Sequence, residues 1–413
     1  MAQVNLTLTQ EEVLQVLTGD RDAAMKFLLE RILNEIMKAE SEEQLGAGLH
    51  ERTEERQDYR NGTRERELNT RIGTLTLNVP RHRNEPFHTM VFENYQRSEA
   101  ALIATMVQMV VMGVSSRKVE KVVTTLCGTS FSKSTVSELC KRLDKDIDQF
   151  KNRPLDFHEA PFLMLDATYF KVREDHRIRS KAFLVALAFR PDGKREVVGF
   201  DVFDTEENYS WQTFLSGLKE RGLTDVRMVI SDAHAAIRPA IAKVYPEAAW
   251  QRCQVHFLRN ILSITPNKYK EALAIELRRM FTASTTEKAR KVKEEIVAEY
   301  EGVAEQAMKT LEEGFEDSMT VNGLPKYLKE KIRTTNLLER LNRELKRRSD
   351  VIQVFPNPAS VLRLMGAVTI EVNNTYMAGN RIYGDKTLDE LRHTVFPALR
   401  RIAGDQLKLL NAA

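Results

Sequence analysis

Phe162-Leu163-Met164-Leu165-Asp166 sets an apolar run against a single acid, and Val226-Arg227-Met228-Val229-Ile230-Ser231-Asp232 repeats the arrangement downstream. Short apolar runs bounded by turn residues read as buried strands. An acid at the end of such a strand projects from rigid backbone into a crevice, a good place for a metal ligand. A third acid, Glu339, stands in the basic, helical-looking stretch Arg333-Thr334-Thr335-Asn336-Leu337-Leu338-Glu339-Arg340-Leu341-Asn342-Arg343-Glu344-Leu345-Lys346-Arg347-Arg348. Two carboxylates on strands and one on a helix can hold a pair of Mg2+ ions, which activate a hydroxyl nucleophile and stabilise the leaving oxygen in phosphodiester transfer.

The elements around these runs predict the fold. Pro154 and Pro161 mark a boundary, after which strands are expected over 162–172, 181–189 and 196–203, with Pro191-Asp192-Gly193 as the hairpin turn between the last two. A helix over 209–221 closes at Gly222, followed by a strand over 226–231, a helix over 234–244 and a short strand over 248–251. Three antiparallel strands followed by alternating helix and strand is the element order of a ribonuclease H-like core with a mixed five-stranded sheet, a mixed α+β and α/β class. Helical, charge-rich sequence over 258–323 then separates the short strand from the Glu339 helix, and such a core requires it to be an all-α insertion.

Upstream, the apolar spacing predicts helix over 9–39, with Thr9 and Glu12 as a capping box. The segment 58–83 carries the Asn61-Gly62 turn signal and Arg60, Arg64, Arg66, Arg71, Arg81 and Arg83, and within it residues 70–80 alternate apolar and polar as a half-buried strand. This basic β-rich segment is either a DNA contact or a charged hairpin. Residues 99–150 read as helices broken at Gly113 and at Gly128-Thr129-Ser130-Phe131, the pattern of a helix-turn-helix reader or of a plain three-helix bundle. Ser132, Lys133, Ser134 and Thr135 would face a DNA groove. The expected organisation is therefore helical over 1–45, basic and β-rich over 46–98, and helix-turn-helix-like over 99–153. The first part of the core follows over 154–257, the insertion over 258–325, and the last part of the core with C-terminal helices over 326–413.

Composition narrows the class. The chain has 413 residues, 42% hydrophobic and 29% charged, with a net charge of only +3. Its basic residues are concentrated instead: Lys326, Lys329, Lys331, Arg333, Arg340, Arg343, Lys346, Arg347 and Arg348 outnumber Glu330, Glu339 and Glu344 around the third acid. A phosphate backbone passing metal ions needs positive charge there. Three cysteines, Cys127, Cys140 and Cys253, fit a reducing cytoplasm, and no apolar run approaches the roughly 20 residues that span a bilayer. No Gly-rich phosphate loop is present, so no nucleotide cofactor is expected. Nor is there a nucleophile-elbow serine.

On a helix through Glu339, Asn342, Arg343 and Lys346 share its face. Cys253-Gln254-Val255-His256 supplies only two donors, too few for structural zinc, so His256 is expected near the active site and Cys253 in packing. Each acid also has a plainer reading: Asp232 as a helix N-cap, Asp166 as a turn cap, and Glu339 paired with Arg343.

Trp211-Gln212-Thr213-Phe214-Leu215, Trp250-Gln251-Arg252-Cys253-Gln254-Val255-His256-Phe257-Leu258-Arg259-Asn260 and the block from Thr335 to Arg348 resemble the Mutator-like (insertion sequence 256) transposases. Asp166-Ala167-Thr168-Tyr169, Ser231-Asp232-Ala233-His234 and Tyr59-Arg60-Asn61-Gly62 are similar to further motifs of that family. The resemblance spans nearly the whole chain. It implies a DDE transposase in which Asp166, Asp232 and Glu339 bind two Mg2+ or Mn2+ ions. Terminal inverted-repeat DNA and target DNA would be its partners, with a copy-out, paste-in route through a circular intermediate. Lys346 matches the family's basic residue seven positions beyond the Glu. Thr335 departs from the Arg of related families, with Arg333 as the stand-in, and Arg340 replaces the usual Ser or Thr. Arg347 and Arg348 complete the expected DNA contacts. A homodimer is expected because two element ends must be processed together, in the cytoplasm at the nucleoid. The competing readings are a non-catalytic transposase-derived regulator and a structure-specific nuclease of the same fold.

Overall fold

The structure, a computed structural model, describes residues 9–18, 20–49, 51, 56–70, 72–89, 91, 100–127 and 131–412. Arg71 and the expected turn at 128–130 lie outside them. The chain divides into two compact units, Met1–Arg142 and Leu143–Ala413.

In the first unit, helices α1 (Gln10–Thr18) and α2 (Arg21–Leu45) precede a hairpin of β1 (Arg60–Thr70) and β2 (Gly73–His82), then α3 (Ala100–Val111), α4 (Ser116–Cys127) and α5 (Lys133–Cys140). The single N-terminal helix predicted over 9–39 is thus two. Thr9 and Glu12 do form the reciprocal cap, with Glu12 Oε2 accepting from Thr9 N at 2.8 Å and Thr9 Oγ1 accepting from Glu12 N at 3.3 Å. Helix α2 runs on to Leu45, where Gly46 takes a φ of +64° that a side chain would strain. Met37, Leu68, Leu75, Leu77 and Val79 build the core between α2 and the hairpin.

The second unit begins with α6 (Leu143–Asn152) and holds β3 (Glu159–Glu174), β4 (Arg177–Phe189), β5 (Arg195–Phe203), α7 (Asn208–Glu220), β6 (Asp225–Ser231), α8 (Ile237–Val244) and β7 (Ala249–Arg252). Helices α9 (Gln254–Ser263), α10 (Lys270–Thr282), α11 (Thr286–Met319) and α12 (Lys326–Ile332) follow. After them come α13 (Asn336–Ser349), α14 (Pro358–Ala378), α15 (Asp385–Thr394) and α16 (Phe396–Ala412).

The expected five-stranded mixed sheet is present, in the order β5-β4-β3-β6-β7. β3–β4 and β4–β5 are antiparallel, while β3–β6 and β6–β7 are parallel. Residues 160–165 of β3 are all buried because helices cover both sheet faces there, which is why they read as an unbroken apolar run. Beyond Asp166 only alternate residues are buried, as on a strand with one covered face. Leu163, Leu165, Leu184, Ala186, Trp211, Leu215 and Ile241 form the core under α7 and α8. Helices α9 to α11 pack their own core around Phe257, Leu277, Leu311 and Phe315.

Three expectations need correction. β3 and β4 extend through residues 173–180, which were expected to be loop, because the two strands pair without a break to Glu174↔Arg177. Asp166 ends only the apolar run and lies within β3, not at a strand end. Helix α8 starts at Ile237 instead of 234, because residues 232–236 form a turn that presents Asp232 and His234. Among the described residues, no helix is long and apolar enough to cross a membrane.

Candidate active site

The sheet register brings the first two acids side by side. Met164 of β3 is aligned with Ile230 of β6. Asp166 and Asp232 each stand two residues further along these neighbouring parallel strands, which are about 4.8 Å apart. The Asp232 turn is fixed from below: Trp250 Nε1 donates to Ser231 Oγ at 2.9 Å, and Ser231 Oγ donates to the Asp232 carbonyl at 2.8 Å. Trp250 is thus a core aromatic. Asp232 Oδ1 accepts from His234 N at 3.2 Å, so the acid caps its own turn and not helix α8.

The third acid comes from α13. Thr335 at its start is fully buried, and its N and Oγ1 both lie 3.4 Å from Cys253 Sγ. Gln254 N donates to the Arg333 carbonyl at 3.0 Å. These contacts seat α13 beside the start of α9, with Leu338, Leu341 and Leu345 turned into the core. Three residues beyond Glu339, Asn342 Nδ2 donates to Asp166 Oδ2 at 2.7 Å, which ties α13 to β3. Glu339 makes no pair with Arg343. Its Oε1 lies 2.9 Å from Arg259 Nη1 and 3.4 Å from His256 Nε2.

The charges of these groups act on one another. Burial, above all, pushes the Asp166 carboxyl up to about 7, and the charges of Asp232 and Glu339 add to it, while His256 opposes. The Cys253 sulfur beside His256 pushes the imidazole up to about 9 against the effect of burial, helped by Asp166 and Asp232. Burial raises the Cys253 thiol, but His256 outweighs it and the net shift is downward. Burial and neighbouring acids thus make the Asp166 carboxyl reluctant to ionise, with the His256 imidazole as partial compensation.

The donors are hard oxygens, the kind that Mg2+ and Mn2+ prefer. Asn342 Oδ1 is buried without a hydrogen-bond partner at the same place, as expected of a site that takes a further polar or charged group. Among the described residues, no group of three or more His, Cys, Asp or Glu stands in a ready-made metal-binding arrangement. The reason is visible in Glu339, which is turned onto Arg259 and His256 and would have to leave Arg259 to act as a ligand.

The remaining expected site residues separate into two sets. Arg333, Arg343 and Lys346 surround the site as half-buried or exposed cations, and Ser132, Lys133, Ser134, Arg64 and Arg81 are exposed in the first unit. Ser132 caps α5, its hydroxyl accepting from Thr135 N at 3.1 Å. Two arginines expected on DNA are occupied internally. Arg60 donates to the carbonyls of Gly48 at 2.8 Å and Ala47 at 2.9 Å, closing the chain after α2. Arg348 is 3% exposed and donates to Glu344 at 2.7 Å. Arg347 is exposed but also held by Glu344, at 2.6 Å.

The sequence reading missed Arg259 and Glu206. Arg259 follows His256 by three residues on α9, so helical spacing could have placed both on one face. Glu206, in the β5–α7 connection, accepts from Tyr169 Oη at 2.6 Å and Trp211 Nε1 at 3.2 Å, and lies 3.6 Å from His234 Nδ1. No local pattern marks it.

Comparison with known proteins agrees with this architecture. The profile of a family described as "Transposase, Mutator family" matches residues 1–379. The chain is 41% identical to the transposase for insertion sequence element IS256 in transposon Tn4001 of Staphylococcus aureus, over 93% of this chain and 99% of that one. It is 40% identical to the transposase for element ISRM5 of Rhizobium meliloti, over 92% and 94% of the two chains. It is 33% identical to the transposase for element IS1081 of Mycobacterium tuberculosis, over 95% of each.

Proposed function

Because the chain belongs to the Mutator family of transposases, we propose that it is the DNA transposase of an insertion sequence, built on a ribonuclease H-like core and working through Asp166, Asp232 and Glu339. The observation that supports this reading is geometric: the register of β3 and β6 sets Asp166 beside Asp232, and Asn342, three residues beyond Glu339 on α13, donates to Asp166. Of the three acids, one comes from β3, one from the end of β6 and one from α13, and the charges of Asp232 and Glu339 are both felt at Asp166.

The same three carboxylates would hold divalent cations, Mg2+ or Mn2+, which when bound supply activation of the attacking hydroxyl and stabilisation of the leaving oxygen. The protein's own groups position and exclude. Asn342 fixes the Asp166 carboxylate, and the sheet fixes Asp232 beside it. His256 and Arg259 balance Glu339 and offer positive charge to a phosphodiester, and Lys346, Arg343 and Arg333 extend that charge along the strand being cut. Water and then a DNA 3′-hydroxyl attack phosphodiester bonds at the element ends and in the target, by a copy-out, paste-in route. The exposed polar start of α5 and the basic β1–β2 hairpin bind terminal inverted repeats, and two copies pair the two ends.

Incubation with terminal-repeat DNA and Mg2+ tests the reading. Strand joining by the unmodified chain supports it. Cleavage without joining identifies a nuclease, and binding alone a regulator. Asp166→Asn, Asp232→Asn and Glu339→Gln should each abolish chemistry and retain DNA binding. Near-normal strand transfer by any of them removes that residue from the site. Light scattering of the end complex should give a dimer, and a monomer holding paired ends would exclude the paired-copy arrangement.

A further inference from the structure

The β3–β4 hairpin runs past the rest of the sheet. β3 loses β6 after Met164, and β4 meets β5 only from Ala182 onward, so residues 170–181 form a two-stranded ribbon. Its turn, Asp175 and His176, has φ values of 48° and 60°, the left-handed pair that matches strand twist in a tight hairpin.

One face of the ribbon is anchored. Phe170 and Val172 are buried, and the Phe170 ring packs against Phe183 and Phe355. Arg173 N donates to the Phe355 carbonyl at 2.8 Å, and Phe355 N donates to the Lys171 carbonyl at 2.8 Å, so the segment after α13 lies along β3 as a third edge. The other face is bare. Tyr169, Lys171 and Arg173 are exposed on β3, opposite Ala182, Ser180 and Ile178 on β4.

Charges on a hairpin are usually met by opposite charges across the strands. Lys171 and Arg173 face a hydroxyl and an aliphatic side chain instead, and neither makes a side-chain ion pair or hydrogen bond among the described residues. The ribbon carboxylate Glu174 lies on the other face and is taken by Lys181 at 2.6 Å and Arg179 at 3.9 Å, and Asp175 stands in the turn itself. Same-face residues on a strand repeat every ~6.6 Å, so this is a rigid row of unpaired cations at fixed spacing. The row begins at Tyr169, whose hydroxyl is tied to Glu206 beside His234, at the Asp232 end of the active site.

We propose that this face of the ribbon is a track for the sugar–phosphate backbone of duplex DNA leaving the three-acid site, with Lys171 and Arg173 as the phosphate contacts. The assignment rests on the transposase reading and adds to it a surface and a ligand. The track lies on the sheet face opposite the Asp166 side chain and meets the site only at the Asp232 turn, through Tyr169 and Glu206, so it would hold the flanking backbone in register without reading its bases.

Fluorescence anisotropy of the full chain on a labelled random-sequence duplex, over a range of salt concentrations and without divalent cation, tests the track. The double variant Lys171→Ala/Arg173→Ala should lower the slope of log affinity against log salt by about 1.8, or ~0.9 for each lost phosphate contact. The charge-conserving pair Lys171→Arg/Arg173→Lys should keep the slope. Both side chains are exposed, so melting temperatures should match that of the unmodified chain. An alanine pair with the unmodified slope overturns the track. Cleavage of end DNA by Asp166→Asn is measured in parallel. If that variant is inactive while the alanine pair keeps the slope, the track falls and the transposase reading stands. If Asp166→Asn cleaves normally, that reading falls, and the slope alone decides the track.

Discussion

Asn342 on α13 donates to the Asp166 carboxylate on β3 at 2.7 Å, across 176 residues of sequence. This bond makes the orientation of one proposed catalytic acid depend on the helix that carries another. Asn342→Ala removes this donor and leaves the Asp166 carboxyl held, among the described residues, only by Ala167 N, at 3.0 Å. Strand-transfer rates should fall about 10- to 100-fold, the usual cost of losing a partner that orients a metal ligand. Melting should change by only a few degrees, since one hydrogen bond is worth about 1 kcal/mol. Initial rates on end DNA and calorimetry check both parts.

Arg259 holds Glu339 at 2.9 Å although its own side chain is 58% exposed. A cation on a carboxylate competes with any other cation for it. Arg259→Met should therefore tighten Mn2+ binding in the absence of DNA. Exposed pairs are worth roughly 0.2–1 kcal/mol, so the gain should be about two- to fivefold at most. Titration followed by electron paramagnetic resonance measures it, and weaker binding by the variant would contradict the competition.

Asp58 accepts from Glu85 N at 2.9 Å, Asn84 N at 3.0 Å, Tyr59 N at 2.7 Å and Asn84 Nδ2 at 2.9 Å. The Glu85 N–H, first among these donors, brings its pKa down to about 2 against the effect of burial. The folded value lies below the ordinary one of about 3.9, so the carboxylate stabilises the fold above pH ~4, and that contribution is lost as pH falls toward 2. Asp58→Asn should lower the melting temperature at pH 7, and the gap to the unmodified chain should close by about pH 2. A gap that stays constant across this range would show that the charge plays no part.

Arg348 was expected on DNA but is buried against Glu344, with Glu371 at 3.9 Å. Arg348→Ala leaves Glu344 without one of the two arginines that hold its carboxyl down to about 2. Removing one partner of a buried pair costs roughly 3–5 kcal/mol. The half-exposed position of Glu344 puts the expected loss at or below the lower end of that range. The salt dependence of DNA binding should not change, which separates this residue from true phosphate contacts.

The parts of the fold that are legible in the sequence are those where burial forces a pattern. Residues 162–165 and 228–230 are apolar because helices cover both faces of the sheet, and the turn at Asp192-Gly193 is marked by a φ of +80° that favours glycine. The ribbon at 173–180 was missed because its stability comes from cross-strand bonds and from Phe355, not from an apolar face of its own. The cations expected on DNA were chosen by charge alone. Sequence cannot separate Arg60, spent on the carbonyls after α2, from Arg64, which is exposed. The partner of Glu339 was illegible because Arg259 lies 80 residues away in the chain.

The contacts of Cys253 with Thr335 and of Gln254 with Arg333 have an architectural meaning. The helical excursion leaves the sheet after β7 and packs back on it, with Gln251 and Gln254 donating to the Ser318 carbonyl and Thr320 to the Trp250 carbonyl, while Phe355 fastens the far end of α13 to β3. The seat of α13 is thus shared by the sheet and the returning helices, so a change in either would be felt at Glu339.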